Sequence, residues 1–529
     1  MNCALRRLSC VAGLAIAAVV GGCASLPDTR PLPTTAAIAV SDETELGRMA
    51  LAAQPDRDLT GFRLMPSGDN ALTTRIDLAR RAQRSLDAQY YQVDNDASGR
   101  FFLRSLRDAA LRGVRVRLLI DDLSTAGEDP LLLGLAATPN LELRLFNPFP
   151  AGRDRLASRF AWSLFDLGRL NRRMHNKLFI ADGAVAVAGG RNIGDEYFRQ
   201  ANDENYLDLD VVVVGALLAR MGALFDLYWN SPHVRRIEDV ARSSAVGDEL
   251  ARRFEEATAG ADTPPPRPPA PNDVLGYGPF IDELRSGRLG LLWATGEAYA
   301  DDPGRVVGRQ VSYGGVPLLD VDSVRYNVRE QMRRARNEVT LVSPYLIAGQ
   351  EGREAIGEVV DRGVRLSLVT NSLGSTDAPL VYGAYRRQRA DLLRQGVQIW
   401  ELSSSRSSDS VRLGVLGSKV SRLHSKSGVF DGQTVFLGSM NLDPRSDKLN
   451  TEFGLIIRSR EIAAQLNRLI DSLKQQGTYR VRLAADGSTI EWVSGSGDTE
   501  RVLTTEPDTD FCDRLKVDLL TPFVPESLL

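Results

Sequence analysis

The sequence predicts an α/β protein built of two tandem domains related by pseudo-twofold symmetry, with one active site shared at their interface. Three observations predict this. Two of the three histidines stand in one repeated pattern. His175-Asn176-Lys177 runs on to Asp182 and Gly189-Gly190-Arg191-Asn192, and His424-Ser425-Lys426 runs on to Asp431 and Gly438-Ser439-Met440-Asn441. Upstream, Arg112-Gly113-Val114-Arg115 recurs as Arg362-Gly363-Val364-Arg365, at nearly the same offset. Each copy follows a helical pattern (Phe101–Leu111, Ala355–Val360) and a strand-like run (Leu86–Val93, Val339–Leu346), so each reads as a βαβ unit with a parallel sheet.

Residues 1–22 read as a signal peptide. Arg6 and Arg7 precede the apolar run Leu8–Val20, too short to span a bilayer comfortably, and Val20-Gly21-Gly22-Cys23 closes it. Residues 23–59 begin with Ser, Pro and Thr and read as a tether. The first domain is expected over 60–245 and a Pro-rich linker or insertion over 246–279, centred on Thr263–Pro271. The second domain is expected over 280–475 and a β-rich appendage with a terminal helix over 476–529. Ser403–Ser410 is Ser-rich and reads as a loop over the site.

Within each repeat, an apolar or small run, Asp-Gly and a second apolar run predict a hairpin with a two-residue turn. On a strand, i and i+2 face one way, so His175 lies beside Lys177 and His424 beside Lys426. Gly189 and Gly438 would let backbone approach a ligand. Asn192 and Asn441 would stand at the edge of that face. Asp182 and Asp431 read as turn residues that support the site from behind. His233 has no partner pattern and reads as incidental.

Half a site per domain suits displacement at a phosphodiester. The lysines and Asn amides hold the non-bridging oxygens. One neutral imidazole attacks phosphorus and the other, protonated, donates to the leaving alcohol. No metal or cofactor is expected, because cysteine is sparse and neither copy offers a ligand set. The composition is ordinary for a globular enzyme, with 43% hydrophobic and 25% charged residues. A net charge of −3 lacks the basic field that drives nucleic-acid binding. A local basic rim of Arg172, Arg173, Lys177, Lys419, Arg422 and Lys426 remains open.

These motifs resemble the phospholipase D superfamily, whose hallmark is two His-x-Lys-x4-Asp motifs with a downstream Gly-Ser-x-Asn; Gly190 departs from the Ser. The fold this implies is two phospholipase D-like domains. The resemblance also implies an acidic residue that orients each histidine: Glu452 in the second copy, and Asp208 in the first with Asp210 as fallback. By the same analogy His175 is the nucleophile and His424 the acid. Arg144–Phe149, Asn171–Met174, Asp301-Asp302-Pro303 and Thr370–Leu373 look like the cardiolipin synthase C-type branch. That implies phosphatidyl transfer between phospholipids, with phosphatidylglycerol and phosphatidylethanolamine as substrates. A phospholipase D-type lipid hydrolase and a nucleic-acid phosphodiesterase remain alternatives. Val20–Cys23 resembles a lipobox, which implies a lipidated Cys23 and a periplasm-facing anchor in a bacterial envelope, on either membrane. The only cysteine left would be Cys512, so no intrachain disulfide is expected. The chain is expected to be a monomer that carries an internal pseudo-dimer.

Overall fold

A computed structural model describes residues 31–163, 166–259, 265–308, 322–408 and 420–521. The expected signal peptide and Cys23 lie outside these residues, as do Lys419 and parts of the Pro-rich and Ser-rich segments.

The first half contributes β1 (Thr60–Met65), β2 (Ser85–Tyr90), β3 (Arg115–Asp121), β4 (Leu141–Phe146), β5 (Leu178–Ala181), β6 (Val185–Gly189), β7 (Glu204–Leu207), β8 (Asp210–Gly215) and β9 (Val234–Arg236). The second contributes β10 (Leu292–Ala300), β11 (Glu338–Val342), β12 (Arg365–Asn371), β13 (Gln398–Leu402), β14 (Val420–Leu423), β15 (Ser427–Phe430), β16 (Thr434–Gly438), β17 (Phe453–Arg458) and β18 (Thr478–Leu483). Two more strands, β19 (Ile490–Ser494) and β20 (Arg501–Leu503), follow at the far edge.

Pairing places the strands in one continuous sheet in the order β9-β4-β3-β2-β5-β6-β8-β1, then β10-β17-β16-β15-β11-β12-β13-β18-β19-β20. The two halves mirror each other about the antiparallel β1–β10 pair, where Gly61 faces Trp293. The sheet is mixed rather than parallel. Only β2-β3-β4 and β11-β12-β13 run parallel, because each His/Lys hairpin adds its strands antiparallel. The central strands are continuous apolar runs such as Asp210–Gly215 (DVVVVG), buried on both faces by helices. A small two-stranded sheet joins the halves separately, with β7 parallel to β14.

Several expected boundaries shift. The expected tether is anchored to the first half at several points: Thr44 caps a helix over Glu45–Ala53 with Leu46 fully buried, and Trp229 donates to Thr35 Oγ1 at 2.9 Å. The helix Asp248–Thr258, expected in the linker, buries Phe254 and belongs to the first half. So does the helix Phe280–Ser286, expected in the second domain: Phe280 N–H bonds Asn70 and Arg63 pairs with Glu283. Conversely β18 pairs with β13 and is the counterpart of β9, so the second domain continues past 475 into the expected appendage. The described Ser-rich segment includes a short helix, Ser404–Ser408, with Ser403 donating to Asp508 at 2.6 Å.

The hairpin turns also differ. Ala181 pairs with Val185 and Phe430 with Thr434, so the loops hold three residues rather than two. Asp182 and Gly183 (φ 52° and 61°) and Asp431 and Gly432 (φ 50° and 64°) take successive left-handed conformations that Asp and Gly tolerate.

Candidate active site

The two motif copies meet across the joint between the halves. His175–Lys177 and His424–Lys426 are extended segments leading into β5 and β15 rather than strand residues. Each is held by the opposite half. His175 N–H donates to Thr451 O at 2.8 Å and His424 N–H to Leu207 O at 2.8 Å. The residue after each of those carbonyls is a carboxylate, and it takes the ring. His175 Nδ1 lies 3.0 Å from Glu452 Oε2 and 3.0 Å from Ser439 O, whereas His424 Nδ1 lies 2.6 Å from Asp208 Oδ2. The acidic residues named from sequence are therefore in place, but crossed: Asp208 serves the second motif and Glu452 the first. The fallback, Asp210, instead pairs with Arg75 at 2.9 Å and Arg191 at 3.4 Å. Position Nδ1 occupied by a carboxylate leaves Nε2 as the reacting nitrogen.

Both lysines are buried, and each ammonium donates to the carbonyl of its own histidine. The four side chains share one electrostatic environment. The His175 ring is pushed well below its usual value by burial, then by Lys177, Lys426 and His424. His424 is lowered by burial and Lys426, with Asp208 opposing. Burial lowers Lys426 to about 8 and pushes Lys177 well down. Burial would raise the Asp208 carboxyl, yet His424 and Lys426 hold it at about 2. Burial prevails at Glu452, which rises to about 7 against Lys177 and two serine hydroxyls. The two halves thus brace their histidines with carboxylates of opposite tendency.

Asn192 and Asn441 are buried, each with its Oδ1 lacking a protein partner among the described residues. The Asn192 amide donates to Tyr197 OH at 2.9 Å. Asp182 and Asp431 do not support the histidines. Each carboxylate accepts three successive backbone N–H groups, from Gln83–Ser85 and from Arg336–Glu338, anchoring β2 and β11 at the hairpin ends. Gly189 and Gly438 make room for neighbouring backbone rather than for a ligand: an added Cβ would lie 2.5 Å from Leu209 O and 2.4 Å from Phe453 O. Of the basic rim, Arg173 pairs with Asp121 and Arg422 with Glu204, while Arg172 donates to Arg305 O at 2.8 Å. His233 packs edge-on to Phe146 at 6.4 Å, away from both motifs.

Sequence reasoning missed the aromatic walls. Tyr91 meets the His175 ring at 5.2 Å and the Lys177 ammonium at 5.3 Å, while Tyr197 and Tyr206 flank His424 at 5.1 and 5.0 Å. It also missed Asp301, whose carboxylate accepts from Glu452 N–H at 2.9 Å and Arg305 at 3.0 Å, fixing the backbone of Glu452 just ahead of β17. Asp301-Asp302-Pro303 stood out as a motif, but its partner lies 151 residues away.

Gly190 and Ser439 occupy equivalent positions and explain the two carboxylates. Ser439 Oγ donates to Glu452 Oε2 at 2.5 Å. At Gly190 an added Cβ would lie 2.1 Å from Asp208 Oδ1, so a side chain there displaces the shorter carboxylate. We predict that Gly190→Ala drives Asp208 off His424. With 15N-labelled histidine, the His424 Nδ1 resonance should lose its hydrogen-bonded shift while Ser439→Ala leaves that resonance in place. A Gly190→Ala spectrum superposable on wild type would refute the crowding argument.

Comparison with known proteins agrees with this geometry. The model of a family described as "Cardiolipin synthase, PLD-like domain" matches twice, over residues 75–227 and 328–474. Cardiolipin synthase C of Escherichia coli is 36% identical over 472 residues, covering 87% of this chain and 94% of that protein. A Staphylococcus aureus cardiolipin synthase is 24% identical over 422 residues, covering 79% and 67%. Among solved structures, a phosphatidylserine synthase from Haemophilus influenzae has the same fold, with TM-score 0.55 at 13% identity over 90% of this chain and 97% of that one. The repeat, the His/Lys pairs and a match over both halves show that this chain belongs to the phospholipase D superfamily, in its cardiolipin synthase-like family.

Proposed function

We propose that the protein is a phosphatidyltransferase that makes cardiolipin from membrane phospholipids through a covalent phosphohistidine. The observation that carries this is the pair of crossed imidazole–carboxylate contacts, which hold two imidazoles by Nδ1 beside two buried lysines and leave both Nε2 atoms free of carboxylates. Support for lipid as substrate comes from the 36% identical cardiolipin synthase C, and from Arg173 and Arg422 of the rim, which are spent on carboxylates rather than offered to a nucleic-acid backbone.

His175 carries the stronger depression of proton affinity, so it is the neutral nucleophile; His424, beside an ionised Asp208, retains the proton better and is the acid. His175 Nε2 attacks the donor phosphorus. The P–O bond to the headgroup alcohol breaks, and that oxygen takes the His424 Nε2 proton. Neutral His424 then removes the proton from the glycerol hydroxyl of phosphatidylglycerol, whose oxygen attacks phosphorus and expels His175. Lys177, Lys426 and the amides of Asn192 and Asn441 hold the non-bridging oxygens throughout. Phosphatidylethanolamine or a second phosphatidylglycerol serves as donor. A water molecule in place of the acceptor hydroxyl gives the competing hydrolase reading.

The protein is further proposed to be anchored in the bacterial envelope, facing the periplasm, by a lipid on Cys23. Its support is the sequence Val20-Gly21-Gly22-Cys23. Among the described residues no helix is long and apolar enough to cross a membrane.

Two experiments test these readings. Isotopically labelled phosphatidylglycerol, with and without phosphatidylethanolamine, should yield labelled cardiolipin by mass spectrometry; phosphatidic acid as the only new lipid would make the enzyme a hydrolase, and DNA cleavage without lipid change would make it a nuclease. Cys23→Ser should block lipid modification and leave a longer, unprocessed precursor. Equal mass and equal membrane retention would refute the anchor.

A further inference from the structure

Tyrosines and a carboxylate gather around His424. Tyr197 and Tyr206 meet its ring at 5.1 and 5.0 Å and each other at 4.8 Å. Tyr345 donates its hydroxyl to Asp377 Oδ2 at 2.8 Å, and the Tyr206 hydroxyl lies 3.5 Å from the same oxygen. Tyr206 and Tyr345 are half-buried and Asp377 is exposed, so the group is an open rim rather than a packed core. Its position is fixed. Asn371, at the end of β12, accepts from Leu423 N–H at 2.8 Å and donates to Leu423 O at 3.0 Å, which ties the loop that carries Asp377 to the residue before His424. Arg422 gives two nitrogens to Glu204 and one to Thr376 O, so it braces that loop without pairing with Asp377. Burial lowers the Lys426 ammonium while Asp208, Glu452 and Asp377 oppose it, which puts Asp377 within the field of the catalytic site.

The surroundings of His175 lack this rim. Tyr197 stands five residues after Asn192, and Ser446 stands five after Asn441. Tyr206 precedes the carbonyl of Leu207 that holds His424, and Asn450 precedes the carbonyl of Thr451 that holds His175. Tyr345 precedes Leu346 and Gln92 precedes Val93, and these two make matching bridges to Leu442 and Ile193. The three tyrosine positions are therefore Ser446, Asn450 and Gln92 on the other side. Ser446 donates to Glu452 at 2.7 Å, and Asn450 accepts from Arg173 N–H at 3.2 Å. The aromatic ring beside His175 is Tyr91, with Asp121, Arg173 and Arg445 as the charges around it. One histidine looks onto aromatic faces and a carboxylate, the other onto a mixed surface with two guanidinium groups.

We propose that Tyr206, Tyr345 and Asp377 form the subsite for the leaving head group, and that Asp377 makes this subsite prefer an alcohol carrying an ammonium over neutral glycerol. The inference rests on the lipid reading above and on His424 as the acid. In-line displacement sets the departing oxygen opposite the attacking nitrogen. With His175 attacking, the departing alcohol lies against His424 and its tyrosines. Aromatic faces attract a cation through the ring quadrupole, and a carboxylate forms a charge-assisted hydrogen bond with it. Asn192 adds an acceptor beside Tyr197: its amide holds the Tyr197 hydroxyl, and its buried Oδ1 has no partner among the described residues.

The test is a competition between donors. The full-length enzyme is given equal amounts of phosphatidylethanolamine with deuterated acyl chains and unlabelled phosphatidylglycerol in mixed micelles. Cardiolipin with one deuterated half comes from the ethanolamine donor and unlabelled cardiolipin from the glycerol donor, and mass spectrometry gives their ratio. Wild type should favour the half-deuterated product. Asp377→Asn keeps the size of an exposed side chain and removes its charge. A hydrogen bond to a charged group is worth about tenfold or more, so the ratio should fall about tenfold in this variant. Asp377→Glu, which keeps the charge, should restore most of it. Wild type that uses both donors equally overturns the proposal, as does an Asp377→Asn ratio within twofold of wild type, including the case where both products fall in proportion. An equal fall in Asp377→Glu and Asp377→Asn makes shape rather than charge the cause and overturns it too. Wild-type enzyme that makes no cardiolipin from either donor defeats the functional reading instead.

Discussion

The crossed brace between the halves is the contact on which the rest of the structure depends. Each histidine donates its backbone N–H to a carbonyl of the other half and gives its ring Nδ1 to the carboxylate that follows that carbonyl. Neither half can set its own imidazole. The carboxylates are fully buried, and removing one partner of such a buried pair typically costs about 3–5 kcal/mol. Catalytic geometry and domain docking are therefore one property. The continuous sheet through β1 and β10 and the β7–β14 pair hold the register that makes the crossing possible.

Pseudo-symmetry supplies two histidines, and small departures from it give them different surroundings. A Gly190/Asp208 pair and a Ser439/Glu452 pair solve the same packing problem with different electrostatics. The short carboxylate stays ionised against His424, whereas the long one, holding Ser439 and Ser446 hydroxyls, is pushed up to about 7 by burial. A proton acceptor and a proton donor need environments that move their affinities apart, and the two surroundings here differ by one missing hydroxymethyl group and one methylene.

Much of this was legible in the sequence because it is periodic. The repeated His-x-Lys-x4-Asp pattern located His175, Lys177, His424 and Lys426, and the Arg-Gly-Val-Arg repeat gave the α/β halves. What stayed hidden depends on which residues meet. Asp208 and Glu452 were identifiable as candidates, but nothing local says that each serves the distant histidine. Asp182 and Asp431 carry the motif's acidic letter yet bind backbone N–H groups at the far end of the hairpin, which turn chemistry alone could not separate from support of the site. Residues 31–59 read as a tether because composition dominates a short window, whereas Leu46 buries in the core and Thr35 hydrogen-bonds Trp229 of the first half. The boundary at 475 failed because β18 reads as an extra strand until its pairing with β13 is seen.

The claim that one site uses two unequal histidines is tested most directly by trapping the intermediate. Wild-type enzyme mixed with phosphate-labelled phospholipid, quenched in denaturant and mapped by mass spectrometry under alkaline conditions, should carry phosphatidyl label on the peptide containing His175. His424→Gln should accumulate that label where the leaving group needs little protonation, and His175→Gln should carry none. Label on the His424 peptide would reverse the roles, and label on both peptides in equal measure would contradict the asymmetry on which this account rests.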